Sequence, residues 1–505
     1  MLKFIIIAVI LIITYVILGS FLKAAGKDTP QVPDIKQNEN DEKEWASLLK
    51  ISFRKNIIAI ILLISLISIS YFITTTTAAG VVVTPPVPIT TPAATPINPT
   101  IIDANNYNLD TTGVTDTSGA FQTMIDLQPS GSTVELPSGT YKFSSTVKLK
   151  DNITLTAFSD VIFRGTGNNT LFSTGNNNSF SGIEFQNCST ALSVFRKNGL
   201  NVTNSRFTNN ITFSAINFYG SNDASITDSY FYDIRKYGVL IDDDSSNITI
   251  HNNNFDNPKV FGGYAWEQIG GHVYSLNGDN ITVSNNTLKN SGGQGVIFGY
   301  NSTTGKGTTS SVAKDNLLEG NGQEGATIYG GSDKVTSGNS LIGNTAKNNR
   351  FNQIEVWQSD NNIVKDNIVE ESITGVGNLG AITLFNTTET IVSGNNILSA
   401  QSNGIAIVAG TSNTTVADNY ITDTNMKNDI NTPEKGNGIL LDWNGVADPK
   451  FITIRSNVIT SSGEMIDKSG VYSTSNKPHN NQIDNNNITR YKYGVHFYAR
   501  ATCGN

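Results

Sequence analysis

The chain has 505 residues and a formal net charge of −8, and only 15 % of its residues are charged. Two cysteines are too few for a disulfide scaffold or a cysteine-ligated zinc array, and the acidic balance argues against a nucleic-acid-binding protein. A hydrophobic fraction of 38 % is enough to build a core, which excludes a disordered chain.

Two apolar segments near the N-terminus predict insertion into a membrane. Residues 4–18 and 57–73 contain no charged side chain, and each run approaches the roughly 20 residues that span a bilayer. We predict a transmembrane span or signal anchor over residues 1–22 and a transmembrane helix over residues 56–73. The first segment could instead be a signal peptide, because Lys3 precedes it and small residues follow it.

The segment between the two apolar runs indicates their orientation. Residues 23–55 contain seven lysines and arginines, and after Lys55 the next basic residue is Lys142. The positive-inside rule therefore predicts that residues 23–55 form a charged linker in the cytoplasm or inside a virion, with everything after residue 74 outside. Threonine and proline dominate the next stretch, which predicts an extended stalk over residues 74–111.

A repeat governs the rest of the chain. Asparagine is unusually frequent, with 62 residues, and apolar runs between the asparagine-rich turns are short, β-branched and alternating, as in strands. The repeat length indicates a solenoid, and three short strands with their turns fill one coil of a parallel β-helix. We predict about 14 such coils, with asparagine ladders in the turns. The asparagines of the repeated Asn-x-apolar triplet are Asn253, Asn286, Asn316, Asn339, Asn367, Asn395, Asn419, Asn457 and Asn486.

The start of this domain resembles the opening of pectin-lyase-like right-handed β-helix proteins. The opening is matched by Asp116, Thr117, Ala120, Phe121 and Gln122, followed by Val134, Leu136, Pro137, Gly139 and Tyr141. The resemblance implies an all-β, right-handed, single-stranded parallel β-helix over residues 149–505. Residues 112–148 would form an N-terminal cap and the first strands, with a short capping helix at residues 120–127. That superfamily includes polysaccharide lyases, glycoside hydrolases, uronate epimerases, viral tailspikes and adhesins.

An outward-facing row of aromatic side chains is the predicted ligand surface. Alternate residues of a strand face opposite sides of a sheet, so Tyr329, Trp357 and Phe385 should align on consecutive coils, with Glu355 beside them. Aromatic rings with a few polar groups suit a sugar, and Tyr274 and Asp442 lie on the same predicted face. Cover by an insertion loop and contact with another subunit are the alternative interpretations.

Candidate acid–base chemistry centres on a second site. Asp242 ends a predicted strand, and Glu267 lies in a following insertion that could fold over it and supply a second acid. The alternative is an acidic turn, in which Asp242 and Asp244 are solvated or hold Ca²⁺. In the predicted column of outward-facing strand residues that contains Glu355, its neighbours are Thr327 and Thr383, so it has no acidic partner there. No other cofactor is required by the sequence.

The predicted columns of outward-facing strand residues also indicate which of the superfamily's activities could fit this chain. They contain no arginine or lysine that could serve as the base of a lyase, and the Gly-His-Gly of hydrolase members is absent, since Val273 follows His272. We therefore place the enzyme hypothesis below the binding hypothesis.

Thirteen Asn-x-Ser/Thr sequons follow the stalk and predict glycosylation. Cys188 and Cys503 are predicted to lie too many coils apart for a disulfide, which leaves free thiols or pairing between chains. The sequon asparagines are Asn152, Asn168, Asn177, Asn187, Asn201, Asn210, Asn247, Asn280, Asn285, Asn301, Asn386, Asn413 and Asn487.

Three functions remain open at this point. The leading hypothesis is a membrane-anchored surface protein that binds glycans, as an adhesin or a virus-type attachment protein does, in a cell membrane or a virion envelope. The alternatives are an extracellular polysaccharide hydrolase or lyase and a structural envelope component. The expected partners are a membrane, surface glycans and further copies of the chain, with a trimer plausible, and no nucleic acid.

Overall fold

The computed structural model describes residues 101–257, 270–371, 379–424, 434–443, 445, 447–474 and 479–498. The predicted membrane spans, the charged linker, the stalk up to residue 100, Glu267 and Cys503 lie outside these ranges. Within them, no helix combines the length and the apolar character that crossing a bilayer requires.

The described chain is a parallel β-solenoid, as predicted. A complete coil contributes one strand to a fourteen-stranded sheet and two strands to a 28-stranded sheet, and the pairings within both sheets are parallel. The fourteen strands of the first sheet agree with the predicted number of coils. A two-stranded antiparallel hairpin, Tyr300–Asn301 with Lys306–Gly307, projects from one coil.

The bounds of the elements follow the coils in chain order. In the described part of the chain the helices are a 3-10 turn at Ala104–Tyr107 and an α-helix at Ser118–Leu127. The fourteen-stranded sheet consists of Val147–Lys148, Thr170–Ser173, Thr190–Phe195, Ser214–Tyr219, Tyr237–Asp242, Val273–Ser275, Val296–Phe298, Ala326–Tyr329, Ile354–Trp357, Gly380–Phe385, Asn403–Val408, Ile439–Asp442, Met465–Ser473 and Tyr491–Phe497. The 28-stranded sheet consists of Ile101–Asp103, Thr112–Asp116, Thr133–Leu136, Gly139–Lys142, Thr154–Arg164, Ser179–Gln186, Asn201–Thr203, Arg206–Thr208, Asn222–Thr227, Tyr230–Tyr232, Ser246–His251, Asn254–Asp256, Asp279–Ser284, Thr287–Lys289, Val312–Lys314, Leu317–Glu319, Ser340–Ile342, Thr345–Lys347, Ile363–Lys365, Ile368–Glu370, Ile391–Ser393, Asn396–Leu398, Ser412–Ala417, Tyr420–Thr422, Lys450–Arg455, Val458–Thr460, Gln482–Asp484 and Asn487–Ile488.

The core is a column of inward-facing apolar side chains. In-register stacking places the same kind of residue at the same height of successive coils, so Phe185, Phe207, Phe231 and Phe255 form a continuous stack. Their successive ring centroids lie 4.9, 4.7 and 4.2 Å apart, and each of the four side chains is fully buried. Because strand spacing is about 4.8 Å, near-parallel rings are held at contact distance by the backbone itself.

The helix predicted at residues 120–127 is present as Ser118–Leu127. It buries Phe121, Met124 and Ile125, one face of the helix, against the first coils. The ring of Phe121 meets that of Phe143 edge-on with a centroid distance of 5.3 Å, as expected for aromatic packing in a core.

Asparagine ladders join the coils, and one of the predicted positions is wrong. The Nδ2 of each ladder asparagine donates to the Oδ1 of the next at 2.9–3.1 Å, which satisfies amides that are buried away from water. Asn344 occupies the place assigned to Asn339, which lies in a neighbouring turn and donates its backbone N–H to Asn362. The ladder consists of Asn253, Asn286, Asn316, Asn344, Asn367, Asn395, Asn419, Asn457 and Asn486.

Candidate functional site

Two columns of side chains run along the outer face of the fourteen-stranded sheet, in the order predicted. We call them the first and the second outer column. The described pairings of the first column give Tyr219 beside Asp242, and then Tyr329, Trp357, Phe385, Val408 and Asp442 in succession. The second consists of Asn217, Leu240, Tyr274, Ile297, Thr327, Glu355, Thr383, Ala406, Leu440, Tyr472 and His496.

Tyr329, Trp357 and Phe385 form an aromatic stripe on three successive coils. The rings of Trp357 and Phe385 are stacked, with centroids 3.8 Å apart and planes inclined by 6°. Tyr300 of the projecting hairpin packs against Tyr329 with a centroid distance of 5.4 Å. The three stripe side chains are half-buried, so each keeps part of its ring surface accessible.

The outer face is closed on the C-terminal side of the stripe. Val408, Ala406, Leu440 and Tyr472 face outward by register, but all four are buried and form a small apolar cluster against which Phe385 packs. The accessible ring surface of the stripe itself lies on the three coils that carry Tyr329, Trp357 and Phe385.

Glu355 lies beside the stripe and is nearly buried, with 9 % of its surface exposed. The Nδ2 of Asn352 donates to Glu355 Oε1 at 2.7 Å, and Thr383 Oγ1 donates to Asn352 Oδ1 at 3.1 Å, which fixes the amide. Burial raises the pKa of Glu355 well above its usual range, and the neighbouring carboxyl of Glu324 raises it further. Within its column Glu355 is flanked by Thr327 and Thr383, as predicted, and its acidic neighbour Glu324 lies outside the column.

Glu324 is the residue that the sequence pattern missed. It lies two residues before the strand Ala326–Tyr329, and Gln294 Nε2 donates to Glu324 Oε2 at 3.1 Å. Burial raises the pKa of Glu324, while hydrogen bonds from its own backbone and from Gln294, and the nearby Thr327 hydroxyl, oppose the rise. The outer columns consist of strand positions, and strand alternation does not predict where the side chain of a turn residue such as Glu324 lies.

The raised pKa values of Glu324 and Glu355 lead us to predict that the stability they give the fold falls as pH rises. Both carboxyls have a pKa of 4.5 outside the fold, and folding raises it. The folded chain therefore binds these protons more tightly than the unfolded chain does. The stabilisation that results is fully present below pH 4.5 and is lost as pH rises through the pKa values of the folded state. We expect Glu355→Gln to flatten this part of the profile in denaturant unfolding between about pH 4 and 8. An unchanged difference between the two proteins across that range would contradict it.

Tyr274 and Asp442, also predicted to contact a ligand, lie on either side of the stripe. The ring of Tyr274 is half-buried, packs 5.1 Å from that of Tyr237, and is near enough to Tyr329 for burial and that neighbour to raise its pKa. Asp442 lies beyond Val408, and its Oδ1 accepts a hydrogen bond from Thr474 Oγ1 at 2.5 Å. The structure thus brings Tyr274 near the stripe and places Asp442 in the closed region, 9 % exposed.

The acidic turn at residues 242–244 is already engaged by neighbouring groups. Asp242 Oδ1 accepts from Asn301 Nδ2 at 2.9 Å and from the backbone N–H of Asp243 at 2.8 Å, while Asp244 forms an ion pair with Lys306. No cluster of three or more possible metal ligands occurs among the residues that the structure describes. The roles predicted for Asp242, Asp244 and Glu267 in catalysis or Ca²⁺ binding stay predictions.

Several sequon asparagines have a structural use. Asn177 Nδ2 donates to Asn152 Oδ1 at 2.9 Å, and Asn280 Nδ2 donates to Asn247 Oδ1 at 2.8 Å, within left-handed turns of successive coils. A glycan attached to Nδ2 would disturb such a bond. By contrast, Asn168 and Asn201 are exposed and have ordinary backbone angles. Glycosylation stays a prediction, which these contacts favour at Asn168 and Asn201.

Comparison with known proteins identifies the architecture. The family model described as "Right handed beta helix region" matches residues 144–307 and 271–488. A second model, "Rhamnogalacturonase A/epimerase, pectate lyase-like", matches residues 101–157. A search of curated proteins gave no match.

Solved structures share this fold at low sequence identity. The N-terminal fragment of gene product 12 of bacteriophage Phi29 has a TM-score of 0.54 and 13 % identity, covering 78 % of this chain and 71 % of that one. A mutant tailspike protein of E. coli bacteriophage HK620, in complex with a pentasaccharide, has a TM-score of 0.52 and 11 % identity, covering 78 % and 80 %. The surface adhesin PfbA of Streptococcus pneumoniae has a TM-score of 0.44 and 17 % identity, covering 75 % and 93 %. At these identities the likeness concerns the fold.

Proposed function

Because the chain belongs to the right-handed β-helix family, we propose that it is a surface protein that binds a glycan on the outer face of its fourteen-stranded sheet. The observation that carries the proposal is the aromatic stripe, a stacked Trp357–Phe385 pair with Tyr329 on the preceding coil. Sugar rings present flat apolar faces that pack on such rings, and their hydroxyls pair with a few fixed polar groups.

The polar groups beside the stripe support this proposal. Glu355, Asn352 and Thr383 form a hydrogen-bonded chain on two neighbouring coils, in which the strand residues Glu355 and Thr383 hold the turn residue Asn352 between them. A rigid surface loses little conformational entropy when a ligand binds. A small contact area can therefore give a higher affinity than it would on a flexible surface.

The proposed location is the surface of a cell or a virion. The apolar segments at residues 1–22 and 56–73 would anchor the chain, and the Thr- and Pro-rich stalk would hold the solenoid away from the bilayer. These segments lie outside the described residues, so the anchor rests on the sequence. Protease treatment of intact cells or virions that carry the chain should release the solenoid if the stalk is exposed, and a protected solenoid would contradict the predicted orientation.

A glycan array probed with the full chain tests the binding proposal. We expect retention on a restricted group of glycans, because fixed polar groups select particular hydroxyl arrangements. A folded chain that is retained on none of the glycans, while forming a stable oligomer through the stripe, would instead support the structural alternative. Solution mass measured for the full chain and for Trp357→Ala separates these two outcomes, since loss of an interface residue would shift the mass.

A further inference from the structure

We propose that Glu324 and Glu355 form the acid–base pair of a glycosidase site, which hydrolyses a neutral glycan held against the aromatic stripe. This inference rests on the proposed glycan-binding surface and adds a reaction to it. The pair is distinct from Asp242 and Glu267, the residues to which the sequence alone assigned catalysis.

The backbone brings the two carboxyls to one place. Thr327 pairs with Glu355 in adjacent strands, which lie about 4.8 Å apart, and Glu324 is three residues before Thr327. Each carboxyl is oriented by a carboxamide, Glu324 by Gln294 at 3.1 Å and Glu355 by Asn352 at 2.7 Å. Residues from three successive coils therefore hold the pair, as a preorganised site requires.

The hydroxyl of Thr327 is a second, independent feature that points to a ligand. Thr327 faces outward by register but is 3 % exposed, and its Oγ1 completes no hydrogen bond. It lies close enough to Glu324 to counteract the rise in that residue's pKa, yet without the geometry of a formed bond. This hydroxyl therefore offers a donor and an acceptor beside the two acids, with which a substrate hydroxyl or a water can pair.

The electrostatics of the pair give it the two protonation states that hydrolysis needs. Burial disfavours the charged form of each carboxyl, and the charge on one disfavours the charge on the other. Loss of the proton from one carboxyl therefore opposes loss from the other, which favours one shared proton, with a carboxylic acid and a carboxylate together.

The reaction follows from this shared proton. The protonated carboxyl gives its proton to the glycosidic oxygen as the bond from that oxygen to the anomeric carbon breaks. The oxygen of a water molecule forms the new bond to the anomeric carbon, and the carboxylate takes the proton that this water loses. The products are a hemiacetal and an alcohol, and the pair ends with one proton, as it began.

The composition of the two outer columns favours a neutral substrate. The two outer columns contain no lysine or arginine, so nothing on them would compensate the charge of a uronate beside Glu324 and Glu355. A uronate would instead be repelled by the carboxylate of the pair. Neutral sugars require only the aromatic faces and hydrogen-bonding groups that the site offers.

The test measures hydrolysis and binding on the same preparations of the full chain. Laminarin, xylan, galactomannan and dextran serve as neutral probes, with pectate and alginate as uronate probes. We expect the release of reducing ends from a neutral polymer, and a drop in rate of about 10²- to 10⁴-fold in Glu324→Gln and in Glu355→Gln. Retention on the immobilised polymer should persist in Glu324→Gln, because the stripe and the chain of Glu355, Asn352 and Thr383 beside it are intact. Glu370→Gln is the matched control, since Glu370 is exposed on the 28-stranded sheet, and it should leave both measurements unchanged.

Each contrary outcome has a separate meaning. Retention of a polymer without release of reducing ends by the unmodified chain overturns the hydrolase inference and leaves glycan binding standing. If the unmodified chain shows neither retention nor release, both the hydrolase inference and the glycan-binding proposal are overturned. Release that is undiminished in both variants, or confined to pectate or alginate, also overturns the inference. If the variants fail to fold, the rate profile of the unmodified chain decides: an acid–base pair gives a bell-shaped dependence on pH, and a flat profile rejects it.

Discussion

Replacing Trp357 by alanine should weaken glycan binding by roughly 30-fold, or about 2 kcal/mol. The substitution removes the ring that stacks on Phe385 at 3.8 Å and leaves a gap in the middle of the aromatic stripe. Sugar-ring contact with the stripe depends on a continuous flat surface, so the effect should exceed the loss of a peripheral contact. Calorimetry or surface plasmon resonance with a glycan selected on the array measures the change directly.

Tyr219→Ala provides the control for this prediction. Tyr219 belongs to the same first outer column and stacks on Phe195 with a centroid distance of 5.2 Å, but it precedes the stripe by several coils. Its removal should leave affinity within about twofold of the unmodified chain. Equal losses in Tyr219→Ala and Trp357→Ala would place the ligand elsewhere on the sheet. Unchanged binding in Trp357→Ala would remove the stripe from the binding site.

Replacing Asn367 by alanine should cost about 3 to 5 kcal/mol of folding free energy. Asn367 Oδ1 accepts from both the backbone N–H and the Nδ2 of Asn344, and Asn367 Nδ2 donates to Leu341 O and Asn395 Oδ1. All of these groups are buried. Alanine at this position therefore leaves hydrogen-bond donors and acceptors on three coils without a partner, where water does not reach them. Urea unfolding followed by circular dichroism measures the loss.

The neighbouring exposed residue Lys365 gives the comparison for the ladder variant. Its ion pair with Asp366 lies at the surface, and both side chains are about half exposed. Surface pairs of this kind contribute little, so Lys365→Ala should change the free energy of unfolding by less than about 1 kcal/mol. A loss in Asn367→Ala as small as that in Lys365→Ala would show that the ladder contributes specificity of register rather than stability.

The parts of the fold that follow from strand periodicity were predictable from the sequence. Alternation fixes which side chains face outward, and short turns keep the register from coil to coil, so the order of Tyr329, Trp357 and Phe385 could be deduced. The triplet pattern could not separate two asparagine-rich turns of the same coil, which is why Asn339 was assigned to the place of Asn344.

Two features of the site were not predictable from the sequence: the positions of turn side chains and the burial of side chains that face outward. No periodic rule gives the direction of a turn side chain, so nothing in the sequence indicated that Glu324 reaches Glu355. Alternation also says which way a side chain points but not what lies above it. Val408 and Leu440 point outward as expected and are nevertheless buried.

The spacing of the ladder asparagines has a consequence for how such a chain can change over evolutionary time. Consecutive ladder partners are separated by as few as 23 and as many as 38 residues, yet their hydrogen bonds have nearly the same length. Extra residues are therefore accommodated as excursions between strands, and each coil touches mainly its immediate neighbours. Insertions should accumulate at these excursions, and duplication or loss of one whole coil would shift every later coil by about 4.8 Å while leaving the groups around Trp357 in the same mutual arrangement.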